Sequence, residues 1–118
     1  MYNMTTLLRK GGMHSMEPKN FFQVLSEEAP EASAAFFDLI GKLQSNGGLD
    51  IKTFNLIYIG IQATRGEVSS VCAHTVQAKQ AGATREEIRD TILLTFMTIG
   101  INGVASCLAP ALDAYDNN

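Results

Sequence analysis

Two glycines, Gly66 and Gly82, bracket the stretch EVSSVCAHTVQAKQA and limit what this chain can fold into more than any other feature. Glycine accepts the left-handed backbone at which helices end, so one helix should close at Gly66 and another at Gly82. Just beyond, Thr84 and Glu87 have the spacing of a capping box, which opens a further helix. Glu67 to Ala81 is therefore expected to be one helix of about four turns.

At helical pitch, Glu67, Ser70, Val71, His74, Ala78 and Ala81 share a face of that helix, with His74 one turn beyond Ser70, so the two side chains can meet. Cys72 points to nearly the opposite side, where Val68, Cys72 and Val76 form an apolar stripe. Cys72 and His74 are thus not partners within the helix.

The remainder of the chain reads as helices too. Pro18 suits a first turn and Phe21, Val24 and Leu25 give an apolar side, predicting a short helix to about Glu28. Pro30 opens a second, with Ala32, Ala35, Phe36, Leu39, Ile40 and Leu43 in helical period and a stop at Asn46, Gly47 and Gly48; it is expected to belong to the core. Asp50 is a good N-cap for Ile51 to Thr64, with Phe54, Ile57, Tyr58 and Ile61 at helical spacing. Its LIYIGI segment has strand propensity, but the chain offers no second strand for it to pair with. Thr84 to Ile99 is expected to form one helix, apolar over most of its girth, with stripes of Ile88, Ile92, Phe96, Ile99 and of Thr91, Thr95, Thr98. Gly100 and Gly103 allow a turn or a close approach, and Ile101, Val104, Cys107, Leu108, Ala111 and Leu112 trace a last helix that Pro110 should kink. Residues 1–16 show no sustained period and are expected to be a mobile arm; His14 lies there, where no geometry holds an imidazole.

The stretch HTVQAKQAGATREEI resembles the core motif of the alkylhydroperoxidase D and carboxymuconolactone decarboxylase superfamily. That motif reads Cys-x-x-Cys-x-x-x-His, followed by Ala-Gly-Ala-Thr and Glu-Glu-Ile. The resemblance puts His74 at the family histidine, Ser70 at the second cysteine position and Glu67 at the first, so both motif cysteines are replaced. It extends more weakly from Phe36 to Leu108. It implies an all-α, alkylhydroperoxidase D-like subunit: a single-domain bundle of about six helices over residues 17–118, assembling into a homo-trimer or homo-hexamer. Asn55 stands near a point where the family often carries an acidic residue that ends a proton relay, and asparagine carries no proton at neutral pH.

Composition narrows the function classes. Hydrophobic residues make up 46% and charged residues 18% of the 118, which leaves more apolar helix surface than a small monomer can cover and favours self-association. The net charge of −3, with no run of lysine or arginine, gives no footprint for nucleic acid or anionic lipid. The apolar runs fall short of the roughly 20 residues a membrane span needs, and no signal-peptide pattern opens the chain, so a cytoplasmic location is expected. Cys72 and Cys107 make no disulfide framework, which fits a reducing compartment.

His74 carries the chemistry if any residue does. Imidazole titrates near neutrality, and a pocket shared with Ser70, Glu67, Asn55 and Cys72 would make it a general acid or base. Taken as a residue alone, it reads as a core histidine bonded to a carbonyl or hydroxyl; the resemblance tips the reading toward catalysis. Ser70 lacks the third residue and oxyanion motif of a nucleophile, and Glu67 suits a helix start. Cys72 and Cys107 continue apolar stripes, and one histidine with one cysteine pointing away supplies no metal site. No cofactor is expected. Three readings follow in order: a non-redox enzyme using His74 on a small organic substrate, a thiol-dependent peroxidase using Cys72 or Cys107, and a non-catalytic oligomer.

Overall fold

A computed structural model describes residues 20–118, all of whose regular structure is helical. The expected arm of residues 1–16, with His14, and the proposed helix start at Pro18 lie outside the described residues. Among the described residues there are six helices of eight residues or more, with a single four-residue turn of helix between the last two. They fall into two compact units, divided between Leu43 and Gln44.

The first unit holds α1 (Phe21–Glu28) and α2 (Pro30–Gln44). Asn20 caps α1: its side chain accepts from the Gln23 amide at 2.9 Å, while the Gln23 side chain accepts from the Asn20 amide at 3.0 Å. Phe22 contacts Phe21, Phe36 and Phe37 at ring-centroid distances of 5.2, 6.4 and 5.5 Å. The expectation that α2 is core is corrected: only Ser33 is buried along it, and Phe36, Phe37, Leu39 and Leu43 are exposed. Helical periodicity marks an apolar side but does not provide the surface that would cover it.

The second unit comprises α3 (Ile51–Thr64), α4 (Val68–Gln80), α5 (Arg85–Leu93), α6 (Phe96–Ile99) and α7 (Asn102–Asp116). LIYIGI is helical, within α3. Asp50 caps that helix by accepting from the Thr53 amide at 2.7 Å, and this bond holds its carboxyl below the usual carboxylate range. Gly66 and Gly82 close α3 and α4 at φ of 70° and 100°. Thr84 and Glu87 bond reciprocally as a capping box ahead of α5.

Helix α4 packs against α3 and α7, and α5 against α7 and α3. The core between them is Ile59, Ala63, Val71, Ala78, Ala83, Ile88, Ile92, Cys107 and Ala111. Each fully buried isoleucine contributes roughly 1.5 to 3 kcal/mol of transfer free energy. Along α3 the buried seam is Asn55, Ile59 and Ala63, whereas Ile57 and Ile61 of the expected stripe are exposed. The helix is apolar on most sides, so its period alone does not select the inward face. On α4 the seam is Val71, Thr75 and Ala78, with Val68, Cys72 and Val76 only half-buried.

The helix expected over Thr84 to Ile99 is interrupted at Leu94 and Thr95. Thr91, Thr95 and Thr98 each return their hydroxyl to a carbonyl three or four residues back, at Glu87, Ile92 and Thr95 respectively. Such bonds compete with the backbone ladder, and the Thr95 amide tightens to a three-residue bond with Ile92 at 3.0 Å. Gly103 then meets this turn: a Cβ there would lie 2.8 Å from the Ala63 carbonyl oxygen and 2.9 Å from the Thr95 hydroxyl. Helix α7 runs through Pro110 and buries Gly103, Cys107 and Ala111.

Candidate functional site

Helices α3 and α4 form a hairpin through Arg65–Glu67, and two side-chain contacts set its antiparallel register. Near the start of α3 Asn55 meets His74, and near its end Gln62 meets Ser70. This geometry follows from spacing. Asn55, Tyr58 and Gln62 recur at three and four residues along one helix, as Ser70 and His74 do at four along the other.

Asn55 is 1% exposed. Its Nδ2 donates to the Ile51 carbonyl at 3.0 Å, which orients the amide so that Oδ1 faces Nδ1 of His74 at 2.9 Å. An amide oxygen only accepts, so Nδ1 must carry the hydrogen. That leaves Nε2 with its lone pair. Among the described residues Nε2 has no hydrogen-bond partner, yet every buried side-chain nitrogen or oxygen has one, so Nε2 keeps contact with solvent. Burial of the ring pushes the His74 pKa below its ordinary 6.5, which favours the neutral base. Tyr58 stacks on the imidazole with centroids 3.7 Å apart and planes 25° from parallel.

Ser70 does not bond to His74. Its Oγ accepts from Nε2 of Gln62 at 3.1 Å, and the same amide nitrogen reaches the Tyr58 hydroxyl at a long 3.5 Å. Arg65 donates to Oε1 of Gln62 at 3.1 Å. Tyr58 and Gln62 are the site residues that sequence reasoning missed; their period on the face of Asn55 was the available signal. Glu67 occupies the N-cap position of α4, exposed and without a capping side-chain bond, in keeping with its reading as a helix-start residue. Cys72 lies apart from the imidazole, toward α7. Burial pushes its thiol up, with smaller contributions from Cys107 and Asp113. Cys107 is fully buried.

Among the described residues no three histidine, cysteine or carboxylate side chains converge as metal ligands would, and no helix is long and apolar enough to cross a membrane. A separate apolar groove of about 430 Å³ runs between α3 and α5, lined by Leu56, Ile57, Gly60, Ile61, Thr91 and Leu94 among others.

The polar hairpin falls within residues 30–113, the span that matches the carboxymuconolactone decarboxylase family. The uncharacterized protein MJ1511 of Methanocaldococcus jannaschii is 28% identical over 89 residues, covering 75% of this chain and 83% of its own length. No solved structure matches the chain. The family match spans well over half the sequence, and the helical architecture agrees with it: the chain belongs to the carboxymuconolactone decarboxylase family.

Proposed function

We propose that this protein is a non-redox enzyme in which His74 removes a proton from a small organic substrate. The observation that carries the reading is the doubly anchored Asn55 amide, which pins the hydrogen on Nδ1 and leaves Nε2 as the basic nitrogen. In the reaction Nε2 takes a proton from an acidic C–H bond, and the electron pair of that bond stays on the substrate as an enolate. The imidazolium so formed keeps its Nδ1–H bond to Asn55 and later returns the Nε2 proton. Asn55 holds the tautomer but accepts no proton itself.

A thiol peroxidase needs an accessible thiolate, and neither cysteine suits it: Cys107 is fully buried and the Cys72 thiol is pushed up. The expected homo-oligomer, a trimer or hexamer, is supported by the exposed apolar residues Ile57, Ile61, Leu94, Met97 and Ile101.

The test is solvent exchange in deuterium oxide. Small enolisable carbonyl compounds and lactones are incubated with the protein and with His74→Gln, and deuterium uptake is followed by proton NMR. Exchange by the parent and its loss in the variant are expected. Equal exchange by both proteins, or none by the parent on any compound, would sink the proposal.

A further inference from the structure

We infer that the Ser70 and Tyr58 hydroxyls form an oxygen-binding subsite beside His74 that takes a carboxylate group of the ligand. The inference deepens the proposed function, since it names the group a substrate presents next to the base; the binding half stands independently of proton transfer.

The direction of the hydrogen bonds carries the argument. Arg65 has only donors, so the Gln62 atom it contacts at 3.1 Å must be the amide oxygen. The other end of the amide is then NH2, and its two hydrogens point at Ser70 Oγ and the Tyr58 hydroxyl, at 3.1 and 3.5 Å. Both hydroxyl oxygens therefore act as acceptors toward Gln62, and each keeps its own hydrogen to donate. Among the described residues neither hydrogen has an acceptor. Helical serines and threonines commonly return that hydrogen to their own helix, as Thr75 does to Val71 at 2.8 Å and Ser106 to Asn102 at 2.8 Å. Ser70, on the same helix as Thr75, does not.

The two hydroxyls flank one amide nitrogen, at 3.1 and 3.5 Å, a spread that the two oxygens of one carboxylate can span. Stacking keeps the Tyr58 ring on the imidazole at 3.7 Å, and Ser70 is one turn from His74 on the same face. Asn55 engages Nδ1 on the other side of the ring. A carboxylate accepting from Ser70 and Tyr58 is thereby held beside the imidazole, and the two donors would stabilise negative charge that spreads onto it as His74 removes a proton. The subsite favours a 2-oxo acid or a similarly oxygenated small molecule over a plain hydrocarbon.

Pyruvate serves as the probe, titrated against the full-length protein with amide and imidazole chemical shifts as the readout. Saturable shifts at millimolar pyruvate are expected, centred on Ser70, Tyr58, Gln62 and His74. Ser70→Ala and Tyr58→Phe should each weaken binding at least fivefold. Ser70→Thr, which keeps the hydroxyl, should bind within about threefold of the parent, as should His74→Gln, which keeps both donors. Deuterium exchange into the pyruvate methyl group, measured on the same samples, reports the base separately. Exchange lost in His74→Gln with binding indifferent to both hydroxyl variants would discard the subsite and keep the base; hydroxyl-dependent binding without exchange would do the reverse. Absence of saturable binding by a folded parent overturns the subsite outright.

Discussion

The Asn55 amide oxygen lies 2.9 Å from Nδ1 of His74, while the nitrogen of the same amide is tied to the Ile51 carbonyl at 3.0 Å. A neutral acceptor thus holds the imidazole, and burial pushes the pKa of the ring below 6.5. Because the unfolded chain binds a proton near pH 6.5 that the native chain resists, native stability is complete above that pH and should fall as pH drops below it. His74→Gln should flatten this segment of the curve. Asn55→Asp should act oppositely, its carboxylate favouring imidazolium and raising the His74 pKa, so that the loss below pH 6.5 shrinks or turns into a gain. Urea denaturation from pH 8 to pH 5 measures the stability effects, and an NMR titration of the His74 ring measures the pKa.

Packing at Gly103 yields a second prediction. A methyl group there meets backbone at 2.8 Å and the Thr95 hydroxyl at 2.9 Å, so Gly103→Ala should destabilise by about 1 to 3 kcal/mol. Gly41, also within a helix, has nothing within 4 Å of such a methyl group. Gly41→Ala should therefore stabilise by roughly 0.5 to 1 kcal/mol. Denaturation midpoints of the two variants moving the same way would contradict this account of α7 packing.

The thiols supply a third. Organic hydroperoxide reduction should be at background level, and Cys72→Ala should leave the exchange activity expected of His74 unchanged. A coupled peroxidase assay showing turnover that vanishes in Cys72→Ala would reverse the ranking of the two chemistries.

Assembly is the fourth. Met97, 85% exposed, and Leu94, 61% exposed, border the apolar groove between α3 and α5 or lie one turn from it. Light scattering at micromolar protein should report a multiple of the 12.8 kDa chain, and Leu94→Glu should reduce it. A parent that elutes as a single 12.8 kDa species would refute self-association.

Helix ends were legible in the sequence because their causes are local. The Asp50 cap, the Thr84 and Glu87 box and the positive φ of Gly66 and Gly82 depend on residues a few positions apart. His74 was legible for a related reason, since its spacing from Ser70 and the AGATREEI that follows are carried on one continuous stretch. The inward faces of α3 and α4 were not, because a helix apolar on several sides gives no preferred direction until its neighbours are in place. Asn55, Ile59 and Ala63 point inward on α3 because α4, α5 and α7 close on that side. The break at Leu94 and Thr95 likewise accompanies the close approach of Gly103, eight residues beyond Thr95 in the chain. Tertiary structure alone decided that Ser70 bonds to Gln62 rather than to His74, since helical spacing brings two side chains to one face but the hydrogen bond goes to whichever partner the neighbouring helix presents.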